Sequence, residues 1–231
     1  MLKRIFVVFC CFAIAIFFSG AKHKQDFEII QTATLPVTNK VIIVDAGHGK
    51  PDEGAESSNG ITEEQINLKI ALQLQKLLES SGSTVILTRS DENSIYELDS
   101  KTISQKKVSD IKKRVEIGNN SSADAFISIH LNKISQSQYS GWQTFYKTND
   151  DNSKKLATSI QTNLNETISK DNKRVPLKLQ NVYIMKHIEI PIALVECGFL
   201  SNPDEESKLI TQDYQSTLAW GIYTGIMDYF S

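Results

Sequence analysis

Three stretches of this sequence, VIIVDAGHG (residues 41–49), AFISIHLN (125–132) and IALVECGF (192–199), are mostly apolar and rich in β-branched residues, and each runs into a histidine or a glutamate. A strand with one wet face alternates apolar with polar residues, whereas a strand covered on both faces stays apolar along its length. The chain is therefore constrained to a sheet with a layer on either side, and the intervening segments carry helical patterns that supply those layers. From Thr62, the positions Ile66, Ile70, Leu74, Leu77 and Leu78 recur at helical spacing, and Ser80 to Gly82 supplies a stop. Val108, Ile111 and Val115 mark a second helix, and Leu156, Ile160, Leu164 and Ile168 a third. Asn202 ahead of Pro203 and a run of acids reads as a helix cap, before a last helix carrying Leu218, Ile222 and Ile226. Further strands are expected at Thr84–Thr88, Trp142–Tyr146 and Asn181–Met185. The alternation predicts a single α/β domain whose largely parallel sheet, of roughly six strands, is flanked by helices on both faces.

With 231 residues, 40% of them hydrophobic, the chain can bury one sizeable core. Its N-terminus stands apart: Lys3 and Arg4 precede an unbroken apolar run from Ile5 to Phe18, followed by Ser19, Gly20 and Ala21. That is the layout of a secretory signal. As a helix the run would rise only about 21 Å against a hydrocarbon core of roughly 30 Å, which favours a signal peptide cut after Ala21 over a permanent N-terminal anchor. Residues 22–39 are mostly polar, lack a period and contain Pro36, as suits a tether to a domain of residues 40–231. Membrane contact is expected only through the N-terminal segment. Cys10 and Cys11 lie inside it, so Cys197 is alone in the folded part and no internal disulfide staples the fold. The net charge of −2 becomes more negative once Lys3 and Arg4 are removed, which argues against nucleic acid as a partner.

In open α/β sheets, ligands sit beyond the carboxyl ends of the strands, so His48, His130 and Glu196 are expected to converge there. Imidazole and carboxylate suit zinc, which binds both at about 2.0–2.2 Å and keeps one position open in catalytic sites. The residues themselves leave the third ligand open among Asp45, Asp52, Glu53, Glu56, Glu63 and Glu64. Glu63 is favoured because it opens a helix, whose positive end suits a carboxylate. Gly47 and Gly49 would let the chain turn sharply around His48 and bring backbone close to a bound ion.

Five ordered motifs, VIIVDAGHGKPDEGA, ITEEQINLKIA, VILTR, RVEIGNNSSADAFISIHLN and IALVECGFLSNPDE, resemble those of the zinc-dependent N-acetylmuramoyl-L-alanine amidases, the amidase-3 family of peptidoglycan hydrolases. The resemblance runs from about Val41 to the C-terminus. It implies a zinc ion held by His48 of the Gly-His-Gly motif, Glu63 ahead of the Asn67-Leu68 pair, and His130 of the Ile-His-x-Asn motif. Glu196 of the Val-Glu-x-Gly-Phe motif would be the catalytic carboxylate. The implied substrate is peptidoglycan, its glycan strands and stem peptides, cut at the amide between N-acetylmuramic acid and L-alanine. Arg174 is a candidate for contacting a stem-peptide carboxylate. Two departures bear on substrate contacts: Glu64 stands where the family usually has lysine, and Arg174 lacks the glycine that commonly follows it. Only the stretch Asn132–Gly141 separates the Ile-His-x-Asn motif from the next strand, too little for the inhibitory helix of some relatives, so the site should be open unless a protein partner controls it. With no wall-binding repeats, the chain also resembles the short spore-cortex amidases, whose cleavage precedes muramic-δ-lactam formation. An exported protein follows, secreted or anchored at the outer side of a bacterial membrane, or acting between the forespore membranes.

Other residues read more plainly. Cys197 beside Glu196 invites a thiol-nucleophile reading, but adjacent strand residues point to opposite faces, and a free cysteine is commonly a small buried hydrophobe. His187 reads as a surface histidine, His23 as part of the solvated tether, and Asp91 to Asp99 as a solvated acidic loop. Asp45 is placed either to orient the His48 ring or to cap its loop. A reading of another class is a peptidoglycan-binding or regulatory protein on the amidase fold with its chemistry lost.

Overall fold

The structure, a computed structural model, describes residues 34–231. The N-terminal signal or anchor and the first part of the tether lie outside the described residues. Six strands, β1 Val41–Ala46, β2 Thr84–Leu87, β3 Ala125–Asn132, β4 Gln143–Lys147, β5 Leu177–Leu179 and β6 Ile192–Phe199, form one sheet in the order β2-β1-β3-β6-β4-β5. The helices are α1 Glu63–Ser80, α2 Ile103–Asn120, α3 Asp151–Thr167, α4 Tyr183–His187, α5 Pro203–Leu209 and α6 Gln212–Phe230. Strands β1, β2, β3 and β6 run parallel, β4 is antiparallel to β6, and β5 is parallel to β4.

The sheet is covered on both faces, and strand parity decides which residue faces which layer. Ile42, Val44, Ile127, Ile129, Ala193 and Val195 pack with Ile70 and Leu74 of α1, Leu156 and Ile160 of α3, and Ile222 of α6. Ile43, Phe126, Ile192 and Leu194 face the other way, against Ile184 and Met185 of α4 and the half-buried Ile111 and Val115 of α2. By the same parity Asp45, Ser128, His130 and Glu196 belong to this second face. Each fully buried Ile or Leu contributes about 1.5–3 kcal/mol relative to exposure, so both layers hold the sheet firmly.

Two expectations differ from the structure. The segment Asn181–Met185 is not a strand; β5 comes earlier, at Leu177–Leu179, and α4 begins at Tyr183. Ile184, Met185 and Ile188 all turn inward, a helical spacing, and a short apolar run fits either period until its neighbours decide. The stretch read as tether is also partly folded. Val37 is fully buried in the larger core, and the turn around it is tied down by bonds from Ser83 Oγ to Val37 O (2.8 Å) and from Asn39 N to Gly82 O (2.9 Å).

The inner face of α2 carries two charges beside its half-buried Ile111 and Val115, since Asp110 and Arg114 are buried. Arg114 sits under β1 and spends its guanidinium on Asp45 Oδ1 (2.5 Å), Asp110 Oδ2 (2.7 Å), Ala46 O (2.8 Å) and His48 O (2.6 Å). Ser128 and Thr88 complete the Asp45 carboxylate at 2.6 and 2.7 Å. Burial, the largest single influence, would raise the Asp45 carboxyl, but Arg114, Ser128, His130 and Thr88 together outweigh it and hold the group below its ordinary value. Breaking a buried pair from one side leaves an uncompensated charge, so Arg114→Met is expected to cost about 3–5 kcal/mol of stability at neutral pH, read as a lowered midpoint in denaturant unfolding.

Candidate active site

The cluster is assembled from three separate elements. His48 follows β1 through Gly47 and adopts a left-handed backbone (φ 63°), uncommon for a residue with a side chain. Two buried arginines hold the carbonyls of that turn: Arg114 takes Ala46 and His48, while Arg89 takes Ala46 O (2.9 Å) and Gly47 O (3.1 Å). Glu63 is the first residue of α1, and its carboxylate accepts from Ala55 N (2.8 Å), Leu131 N (2.9 Å) and Asn67 Nδ2 (3.2 Å). His130 comes from β3, beside Glu196 in the β3–β6 register.

Among the described residues, His48, Glu63 and His130 form a group able to hold a metal ion, with donor atoms all within 4.8 Å of one another. His48 Nε2 lies 3.3 Å from Glu63 Oε2, and His130 Nδ1 lies 3.1 Å from Glu63 Oε1. The two rings meet edge to face, centroids 5.1 Å apart. Burial disfavours charge on His48, but hydrogen bonds to Asp52 and Glu63 prevail and push its pKa up to about 9. Burial would likewise raise Glu63; the two histidines reverse this and hold it far below the ordinary carboxylate range.

Glu196 stands next to this cluster with a different environment. Its Oε2 is buried with no hydrogen-bond partner, and burial pushes its pKa up to about 7, with His130 and His48 opposing and Glu63 assisting. His48, His130 and Glu196 line one cleft of about 360 Å³, whose far wall is apolar, formed by Phe145, Leu179 and Val182. A buried carboxylate beside a group able to hold a metal ion is an arrangement that can serve hydrolysis.

The glycines serve the side chains. A Cβ on Gly47 would lie 2.3 Å from Cε1 of His130, and one on Gly54, whose φ is +70°, would lie 2.6 Å from Glu63 Oε2. Their absence of a side chain makes room for the side chains of the cluster. Asp45 does not touch the His48 ring; Arg114 takes its carboxylate, and the acid on His48 Nδ1 is Asp52, at 3.2 Å. Cys197 is buried on the opposite face with Val195, and burial raises its thiol pKa, so it takes no part in the cleft. His187 stacks on Tyr183 instead.

Arg174 lies ahead of β5, in an adjoining cavity of about 790 Å³. Its guanidinium is 5.0 Å above the Phe199 ring, with Nη2 3.3 Å from Ser140 O and Nη1 3.4 Å from Gln143 Oε1. Gln143 is the β4 partner of Glu196, so one side chain separates Arg174 from the cleft. Arg89 and Arg114 fall in the VILTR and RVEIGNN motifs and Asp52 among the candidate ligands, but the sequence gives none of them the role it has here, since charged residues at such positions ordinarily read as solvated. Between β3 and β4 the chain runs as a loop with turns and bends.

This fold carries a cluster able to hold a metal ion, and the comparisons with known proteins say which class of protein it belongs to. Residues 42–228 match the N-acetylmuramoyl-L-alanine amidase family, and the chain belongs to that family. It is an amidase acting on peptidoglycan. A germination-specific N-acetylmuramoyl-L-alanine amidase of Bacillus subtilis is 35% identical over 198 residues, covering 86% of this chain and 83% of its own length. The CwlD amidase of Clostridioides difficile, solved in complex with the GerS lipoprotein, is 46% identical with a TM-score of 0.81, over 83% of this chain and 98% of that one. An N-acetylmuramoyl-L-alanine amidase from Clostridium difficile 630 follows at 33% identity and TM-score 0.71, over 84% of this chain and 97% of its own.

Because any Cβ at position 47 must displace the His130 ring, Gly47→Ala is expected to lower divalent-metal affinity at least about tenfold while leaving the circular dichroism spectrum native. A metal titration of the two proteins checks this.

Proposed function

We propose that this amidase uses a zinc ion held by His48, Glu63 and His130, with Glu196 as the group that moves the proton. The donor set, two imidazoles and one carboxylate in a compact group, is the chemistry zinc prefers. Bound there, zinc would polarise a water molecule and the carbonyl of the amide joining N-acetylmuramic acid to L-alanine. Glu196 takes a proton from the attacking water and delivers it to the alanine nitrogen as the C–N bond breaks. The observation that carries this reading is the buried, unpartnered Oε2 of Glu196 beside the cluster: an acid left without a partner, and raised to about 7, is poised to accept and return a proton near neutral pH. Arg174, held by Phe199 and Gln143 one side chain from Glu196, is assigned to a carboxylate of the stem peptide.

The biological setting is proposed from relatives. A relative named germination-specific supports a role at the spore, and on this reading the peptidoglycan acted on is spore cortex, where amide cleavage would precede muramic-δ-lactam formation. The CwlD amidase is solved with a lipoprotein, which supports a protein partner for this chain too. An exported location fits this substrate, with residues 1–21 as signal or anchor ahead of the polar tether.

Glu196→Gln is expected to retain zinc and to lose about 10²–10⁴-fold in turnover, followed by mass spectrometry of digested peptidoglycan for free stem peptides. Wild-type rates in that variant would remove Glu196 from the role, and activity unaffected by a chelator would remove the metal. Since the His48 proton must leave before its nitrogen can bind an ion, affinity should fall as pH drops below about 9, with roughly one proton released per ion at pH 7. Calorimetry in buffers of different ionisation enthalpy reads that number.

A further inference from the structure

The loop after His48 closes on itself and returns a carboxylate to the back of the ring. Gly49 N donates to Asp52 O (2.9 Å) and Asp52 N to Gly49 O (2.8 Å), a tight reciprocal pair that sets residue 52 beneath residue 48. Asp52 Oδ2 then lies 3.2 Å from His48 Nδ1, while the opposite nitrogen, Nε2, lies 3.3 Å from Glu63 Oε2. The second Asp52 oxygen is engaged as well: Lys107 Nζ stands 2.7 Å from Oδ1, and Gly54 N reaches it at 3.4 Å.

A neutral imidazole carries one N–H and one lone pair, and which nitrogen has which is set by the partners of the ring. An ionised carboxylate only accepts, so a ring facing Asp52 must present its N–H there and its lone pair on the other side. That other side is where Glu63 and His130 converge. Resting on the reading of His48 as a metal ligand, we infer that Asp52, held in place by Lys107 of α2, is a positioning residue: it fixes the His48 tautomer and ring orientation, and so sets how tightly the ion is held. Carboxylates behind metal-bound histidines act in this way, and their loss typically costs 10–100-fold in metal affinity. Helix α2 thereby supports the same loop twice, through Arg114 on the His48 carbonyl and through Lys107 on the acid behind its ring.

The test is a competition titration of Zn²⁺ against a chromophoric chelator. Wild-type protein is compared with Asp52→Ala, Asp52→Asn and Lys107→Met, and ¹⁵N-histidine NMR of the zinc-loaded forms reports the His48 tautomer. Asp52→Ala is expected to bind zinc 10–100-fold more weakly and to lose the single Nδ1–H signature. Asp52→Asn keeps an acceptor oxygen without the charge and should recover part of the affinity together with that signature. Lys107→Met should lose less than tenfold, in the same direction. If Asp52→Ala fails to fold, the asparagine and Lys107 variants carry the comparison. Zinc affinity within twofold of wild type in all the folded variants, with an unchanged His48 spectrum, overturns the inference while leaving the metal site standing. A wild-type protein that takes up no zinc overturns the metal site itself.

Discussion

The buried pair between Arg114 and Asp45 underlies the rest of the arrangement. A guanidinium offers five donors in a rigid plane, and here those donors reach two carboxylates and the carbonyls of Ala46 and His48. The chain at the end of β1 must leave the sheet, turn through a left-handed residue and aim an imidazole back across the sheet. Carbonyls released from the ladder at such a point would be buried and unpaired, at a cost of about 1–3 kcal/mol each. Arg114 and Arg89 satisfy them, and in doing so they fix the direction in which His48 leaves the backbone.

The remaining groups are placed by regular structure. Strand parity puts His130 and Glu196 on one face, and the register places them side by side. Helix α1 begins on Glu63, where the helix dipole favours a carboxylate, the amides of Ala55 and Leu131 donate to it, and Asn67 one turn later donates as well. The two acids of the site are thus set in opposite environments. Glu63 is surrounded by donors and imidazoles and stays ionised, whereas Glu196 is buried without a donor on Oε2 and is raised. Two carboxylates a few residues' width apart can therefore hold different roles.

Much of this arrangement is legible in the amino-acid sequence. The apolar strands, the helical repeats of α1, α3 and α6, and the strand-end positions of His48, His130 and Glu196 follow from local patterns, whereas the choice of Glu63 among several nearby acids is implied only by the family resemblance. The remainder is illegible for a physical reason. The run around Ile184 has no intrinsic preference strong enough to outweigh packing, and it forms a helical turn. Val37 reads as part of a polar tether because a single buried valine makes no pattern. Asp45 and Asp52 are both acids close to His48, and spacing does not tell the residue at i−3 from the one at i+4.

By itself the sequence determined the layered α/β class and the kinds of side chain available for chemistry. The tertiary structure alone decided that Arg114, from a helix whose spacing suggests an ordinary amphipathic surface, is buried beneath β1, and that Asp52 and not Asp45 faces the His48 ring. The division has one cause. Periodicity records which face of an element is covered, but a buried charge is stable only through partners far away in the chain, and those partners are known only once the elements have packed.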